Sequence, residues 1–227
     1  MVGVALCVTF ASLQYVNFFS DAIVVPRDFP SVQAALDHAP PGARIILQAG
    51  KGPFLGPLLI QTPGVSISSK GGKARLHYEG SDPAITIHSD QVTVRGIVVE
   101  ASGIGIRLEA VNDCLIEDIA IEGTPLGIQL LESYGSHLTN LSINGGQTGI
   151  EITSSGGNHL RQIQIERVAL TGVRLVNAWS NSINTVSVVD AQVGISLEQD
   201  SEKNEILSSR LDQCVVSGVE ILNSTNN

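Results

Sequence analysis

A four-residue phrase, glycine followed by an apolar, a polar and an apolar residue, returns six times between Gly105 and Asn227. It reads Gly105-Ile106-Arg107-Leu108, Gly127-Ile128-Gln129-Leu130, Gly149-Ile150-Glu151-Ile152, Gly172-Val173-Arg174-Leu175, Gly194-Ile195-Ser196-Leu197 and Gly218-Val219-Glu220-Ile221. Successive glycines stand 22, 22, 23, 22 and 24 residues apart. A fixed period of this length marks stacked units, each too small to bury an apolar face alone. The alternation within the phrase is that of a strand with one face inward.

A second strand recurs inside each period: Ile97-Val98-Val99, Ile119-Ala120-Ile121, Leu141-Ser142-Ile143, Ile163-Gln164-Ile165, Val186-Ser187-Val188 and, less regularly, Ser209-Arg210-Leu211. Three positions upstream of each stands one more apolar residue: Val94, Ile116, Leu138, Leu160, Ile183, Ile206. Only 15 % of residues are charged and 4 % aromatic, and Gly, Ser, Ile, Val and Leu dominate, which suits short strands and tight corners. The chain is therefore expected to be all-β, a single right-handed parallel β-helix spanning residues 23–227, of seven or eight rungs and about 35 Å long. The glycines would mark corners where a side chain clashes or where φ is positive. Asn158, Asn181 and Asn204 recur at one corner, continuing Cys114 and Ser136, and their amides are expected to stack and hydrogen-bond along the axis.

Ahead of the repeats, Ile23-Val24-Val25 reads as a strand. Ser31 is an N-cap for a short amphipathic helix over residues 31–39, ended by Pro40-Pro41-Gly42, and this helix would cover the first open edge of the stack. Three more strands follow around 44–47, 58–60 and 65–67, with an irregular loop from Gly50 to Pro57 and a further strand from Ala74 to Tyr78. Residues 2–19 carry no ionised side chain, and Ser20-Asp21-Ala22 has small residues where a signal peptidase cuts, so residues 1–22 read as an export signal, or as an anchor if uncleaved. A periplasmic or secreted protein follows. Cys114 and Cys214 fall more than four repeats apart, about 20 Å, beyond disulfide reach. The net charge of −9 argues against nucleic acid as a partner.

The run Phe29-Pro30-Ser31-Val32-Gln33-Ala34-Ala35-Leu36, then Pro41-Gly42-Ala43-Arg44-Ile45-Ile46-Leu47, resembles the opening of pectin-lyase-like β-helices. Together with the Gly-Ile phrase and its asparagine corner, it is most similar to the NosD-like proteins. That resemblance covers residues 23–227 and implies a periplasmic accessory factor of copper-site assembly. The Gly-Tyr-x-Glu that closes the first rung in many relatives is replaced here by Gly50-Lys51-Gly52-Pro53-Phe54. The catalytic signatures of polygalacturonases, pectin methylesterases and pectate lyases are missing, as are the Gly-x-Ser-x-Gly and His-Glu-x-x-His motifs, so the chain leans towards a non-catalytic role.

Repeat alignment turns residues 22 or 23 apart into neighbours at one strand spacing, and three candidate sites emerge. Tyr134, Gly156 and Trp179 share a corner, where two aromatics about 10 Å apart would flank a slot for a glycan ring. His137 and His159 stack three positions on, with Glu205 further along the column, a donor set of the kind that takes copper. Glu100, Glu122 and Glu166, with Asn144, Asp212 and nearby Asp190, form an acidic column that would bind Ca²⁺. On the glycine strand, Glu151 and Arg174 read as a surface ion pair of little weight, and His88 over Glu109 is an acid–base-like pair. Three function classes follow: an exported non-catalytic scaffold or binding module, with a protein partner at an uncapped C-terminal end; a carbohydrate-binding or polysaccharide-processing protein; and a copper-accessory protein of the NosD type.

Overall fold

The computed structural model describes residues 22–227; the expected leader and its cleavage site fall outside the described residues but for Ala22 itself. The chain winds as a parallel β-helix with three sheets on its flanks. The first sheet collects Ile23–Val25, Arg44–Gln48, Ser66–Lys70, Thr93–Arg95 and Leu115–Glu117, continues through residues 137–139, 159–161 and 182–184, and ends at Glu205–Leu207. The second runs from Phe54–Leu55 through Ala74–Tyr78, Ile97–Ala101 and Ala120–Glu122 to residues 210–212. The third is the glycine sheet, from Leu58–Ile60 and Ile85–Ile87 through Ile104–Glu109, Leu126–Leu131, Thr148–Thr153 and Thr171–Val176 to residues 217–222.

The helix has about nine turns rather than seven or eight. The extra ones are built from Ile23–Val25 and Arg44–Gln48, which pair before the glycine phrase begins and so lie beyond the reach of its period. The loop expected from Gly50 to Pro57 also holds a short strand, Phe54–Leu55, paired to Leu76 and His77.

One α-helix, Val32–His38, is present among the described residues. Ser31 caps it, its Oγ accepting from the Ala34 N–H at 3.1 Å, and Val32, Ala35 and Leu36 turn into the core. The helix packs on Leu58–Ile60 at the open edge of the glycine sheet. There the Gln33 amide imitates another strand: its Oε1 accepts from the Leu59 N–H at 2.8 Å and its Nε2 donates to the Leu59 carbonyl at 3.2 Å. Two backbone groups of an edge strand are thereby satisfied, which blunts that edge against other chains.

Inside, columns of branched residues run the length of the stack. Ile106, Ile128, Ile150, Val173 and Ile195 follow one another at successive rungs, all fully buried. Each such side chain contributes about 1.5–3 kcal/mol of burial. Five of the six phrase glycines, Gly105 to Gly194, are required by close approach, not by backbone sign. A Cβ on Gly149 would lie 2.6 Å from the Gly172 carbonyl oxygen one rung on and 2.7 Å from Ile165. The left-handed positions sit elsewhere, in the bends between sheets, and are mostly not glycine: Asp118, Asn140, Gln162, Thr185 and Ser208 form one such column, with φ between 49° and 57°.

Candidate functional site

The corner between the glycine sheet and the first sheet is held by side-chain amides. Asn158 Nδ2 donates to Asn181 Oδ1 at 3.0 Å, Asn181 Nδ2 to Asn204 Oδ1 at 3.0 Å, and Asn204 Nδ2 to Asn227 Oδ1 at 3.0 Å. Each oxygen also accepts the backbone N–H of the preceding ladder residue, and each Nδ2 reaches a corner carbonyl such as that of Ser155, 3.2 Å from Asn181. The ladder is thus as expected and one residue longer. A second one runs beside it: the Ser133 N–H donates to Ser155 Oγ at 2.9 Å and the Ala178 N–H to Ser201 Oγ at 3.2 Å. Ala178 interrupts the series Ser133, Ser155, Ser201, which hides this second ladder in the sequence.

On the outside of this corner Tyr134, Gly156 and Trp179 form a bridge column, in register as expected. The slot between the aromatics is closed, however. Their ring centroids are 5.8 Å apart at a 44° tilt, not about 10 Å, because Trp179 lies down over the glycine. A Cβ on Gly156 would stand 2.5 Å from Trp179 Nε1, so the missing side chain makes room for the indole rather than for a ligand. The outer faces stay half exposed.

His137 and His159 stack as neighbours, with centroids 4.8 Å apart and planes 23° from parallel. Glu205 does not join them. Ser182 occupies the rung between His159 and Glu205, which places that carboxylate two strand spacings, about 10 Å, away. Among the described residues, no group of three or more His, Cys, Asp or Glu is placed to hold a metal ion.

The acidic column aligns Glu100, Glu122, Asn144 and Glu166 on consecutive rungs, then passes through Val189 (not Asp190) to Asp212. Its charges are met from within. Arg75 pairs with Glu100 and, at 3.5 Å, with Glu122; Arg167 pairs with Glu166 at 3.5 Å and donates to Asn144 Oδ1 at 2.6 Å; Arg210 pairs with Asp212. The counter-charge that Ca²⁺ would supply is already present as guanidinium. Arg75 was not legible as a partner because it lies on Ala74–Tyr78, upstream of the repeating phrase.

Across the outer face of the glycine sheet runs a continuous polar chain. Arg107 Nε donates to Gln129 Oε1 at 2.8 Å, Gln129 Nε2 to Glu151 Oε1 at 2.9 Å, and Arg174 Nη1 to Glu151 Oε2 at 3.1 Å. The main partner of Arg174 is Glu198, gripped by two parallel bonds of 3.0 and 2.8 Å. This fork is stronger than the isolated Glu151–Arg174 pair that the repeat register implied. Hydrogen bonding from Arg174, chiefly, holds the Glu198 carboxyl below the usual range, and the same fork raises Arg174. His88 and Glu109 meet as expected, Nε2 to Oε2 at 3.0 Å, on an exposed edge.

Cys114 and Cys214 are both free. Burial pushes the Cys114 thiol up to about 11, since the thiolate would lose its water. At the bend between the first and second sheets, sequence reasoning marked nothing, yet a hollow of about 330 Å³ opens there along residues 140–142, 162–164, Thr185 and Ser187, closed at one end by a Lys73–Asp118 pair of 3.0 Å.

Among solved structures, the chain is similar to the enzymatically active domain of bacteriophage CBA120 tailspike protein 2, with a TM-score of 0.63, 13% identity, and coverage of 91% of this chain and 42% of that one. It is also similar to the catalytic domain of a GH87 α-1,3-glucanase (TM-score 0.59, 14% identity, 83% of this chain and 45% of that one). Pectate lyase Pel9A is a third such structure (TM-score 0.57, 11% identity, 91% of this chain and 78% of that one). These likenesses establish the fold, and the chain spans less than half the length of the first two. No curated protein matches it. No helix among the described residues is long and apolar enough to cross a membrane. The sequence model of the family described as "Periplasmic copper-binding protein (NosD)" matches residues 51–226, most of the chain and nearly all of the β-helix; the protein belongs to the NosD family.

Proposed function

We propose that this protein works in the periplasm as a non-catalytic β-helix scaffold, an accessory component of a larger envelope assembly. One observation carries the reading. The charged columns that would have to supply a general acid and base are consumed by partners on neighbouring rungs, Glu100 and Glu122 by Arg75, Glu151 and Glu198 by Arg174. The guanidinium fork on Glu198 holds its carboxyl below the usual range, which is the wrong direction for a group that must deliver a proton near neutral pH. The family's description as periplasmic supports the compartment. In the last described rung, Val219 and Ile221 stand in register with buried Ile195 and Leu197 and are open to solvent. The test is release of reducing ends or unsaturated products from a panel of neutral and anionic polysaccharides. Turnover abolished by His88→Ala or by His77→Ala would overturn the reading, because His88 with Glu109 and His77 with Glu79 are histidine–carboxylate pairs outside these guanidinium clusters.

Copper handling is the second reading, favoured by the family description and by the stacked His137 and His159. The residues as folded do not fit a closed copper centre. Rings stacked nearly parallel send their in-plane lone pairs side by side rather than to a shared point, and no third donor joins them among the described residues. Met1 is the only methionine in the chain. Any copper would therefore be held at the surface and loosely. A copper titration read by tryptophan quenching, on wild type and His137→Ala/His159→Ala, separates the cases: tight one-to-one binding lost in the variant favours copper handling, and equal weak affinities end it.

A further inference from the structure

We infer that the outer face of the first sheet docks an extended acidic segment of a partner protein, which deepens the scaffold reading above and rests on it. The three outer faces differ in how they treat their cations. The strands of the second sheet carry Arg75 and Arg210 among four carboxylates, and those of the glycine sheet carry Arg107 and Arg174 among four more. All four of these arginines bond to a neighbouring side chain: Arg75 to Glu100, Arg107 to Gln129, Arg174 to Glu198 and Arg210 to Asp212. The first sheet inverts the balance. Arg44, Lys70, Arg95 and Arg161 stand on its strands against only Glu117 and Glu205, and none of these four cationic side chains makes a hydrogen bond or ion pair with another described residue. Lys51, also unpaired among the described residues, extends the same positive ground just past Gln48. In a chain of net charge −9, the flank with surplus positive charge is the one whose arginines are unspent.

The chemistry and spacing of that set select the partner. A guanidinium presents a planar fork of donors that matches a carboxylate, and an unpaired one keeps the whole fork for a ligand. Through the register, Arg44 stands two rungs from Arg95 and Arg95 three rungs from Arg161, about 10 Å and about 14 Å along the axis. The stripe is therefore about 24 Å long, the reach of about seven residues of extended chain. Beside Arg161, the side chains of His137, Thr139 and His159 are likewise unbonded and add donors where the stripe ends. Its inner strands are hydrogen-bonded to neighbours on both sides, so the segment is held by side chains and not as an added strand. The unequal steps fit a peptide, whose acidic residues can fall at any position, better than a uronate polymer, whose carboxylate returns with every sugar. A flat anionic bilayer fits poorly as well. Asp90 and Asp113 line the corner on one side of the stripe and Asp118 the bend on the other, so only a narrow partner meets the arginines without meeting these carboxylates.

Fluorescence anisotropy with fluorescein-labelled heptaglutamate tests the inference at about 0.1 M salt, where screening over about 10 Å lets the stripe be read apart from the acidic flanks. A Kd between about 10 μM and about 300 μM is expected. Arg95→Gln/Arg161→Gln should weaken binding by about tenfold or more. Arg107→Gln/Arg167→Gln makes the same change in net charge off the first sheet and should leave the affinity nearly unchanged. Arg95 and Arg161 are exposed and unpartnered among the described residues, so their variant should fold, which circular dichroism checks. Phosphatidylglycerol vesicles and hexagalacturonate serve as rival anions, and each should displace the labelled peptide less well than unlabelled heptaglutamate at equal charge. No anisotropy change up to about 1 mM protein would overturn the inference. So would an equal loss in the two double variants, or better displacement by either rival. Polysaccharide turnover would end the scaffold reading and leave this face to be judged by the peptide. A silent peptide would end this inference and leave that reading intact.

Discussion

Two alanine substitutions at equivalent letters of the repeat should have opposite consequences. At Gly149 the added methyl would lie 2.6 Å from the Gly172 carbonyl oxygen, 2.7 Å from Ile165 Cγ2 and 3.0 Å from its Cδ1. Ordinary contacts to carbon are roughly 3.5 Å or more, so relief means spreading two paired rungs and displacing a buried isoleucine. Overpacking of this kind costs about 1–3 kcal/mol, and the opposing gain from a stiffer unfolded chain is only about 0.4–1 kcal/mol. Because carbonyl and side chain must both yield, Gly149→Ala is expected near the upper end, a net loss of about 2 kcal/mol. At Gly218 the nearest atoms are 3.8 Å away, both on Leu211, because no further rung follows among the described residues. There the unfolded-state term acts alone, and Gly218→Ala should be neutral or stabilising by up to about 1 kcal/mol. Urea denaturation followed by far-UV circular dichroism reads both, as a lower midpoint for the first and an unchanged or higher one for the second. In heat, about 2 kcal/mol corresponds to a fall of about 4–8 °C for a chain of this size. Equal midpoints for the two variants would refute the claim that the phrase glycines are selected by the carbonyl of the next rung.

Asn181→Ala should cost about 1–3 kcal/mol in the same assay, because it strands the buried Asn158 N–H, while the Ser155 carbonyl keeps the Trp179 N–H; Gln164→Ala on the surface should change little. The Arg174–Glu198 fork contributes a pH dependence of defined sign. The Glu198 pKa is depressed on folding, so its contribution is complete above the ordinary carboxyl value of 4.5 and is lost as pH falls below it. Glu198→Gln should flatten the acid limb of a midpoint-versus-pH curve, and an unchanged limb would show the fork to be inert. Cys114, with its thiol raised to about 11, should resist iodoacetamide in the native protein at pH 8 and react once the chain unfolds, as mass spectrometry of quenched samples would show.

The legible part of this protein is the part whose period is written in side chains that face inward. Isoleucine, leucine and valine at fixed offsets must stack, so the register Ile106 to Ile128 to Ile150 and the pairing of His137 with His159 follow from the alignment of repeats alone. What escaped is what breaks the period. Arg75 and Lys73 sit on early rungs of irregular length, and each supplies a charge to residues that the repeats do specify, Glu100 and Asp118. Rotamers escaped too. The register put Tyr134 and Trp179 two rungs apart, but only the absent Cβ of Gly156 allows the indole to fold across and close the gap. The bends were hidden for another reason: Asn140, Gln162 and Thr185 hold left-handed backbone without being glycine, so composition gave no sign of them.

Those same bends tie architecture to use. A left-handed residue at each rung turns the chain between the first and second sheets without inserting a loop, and the outer surface there is a trough lined by residues 140–142, 162–164, Thr185 and Ser187. Elsewhere the stacking that holds the helix together also uses up the polar groups it presents, as in the asparagine ladder and the arginine-bridged columns. That pairing lapses over consecutive rungs in more than one place: in the column Ser142, Gln164, Ser187 and in the column His137, His159, Ser182 no side chain hydrogen-bonds to another described residue, so these are faces on which the stack leaves polar groups for a ligand or for water.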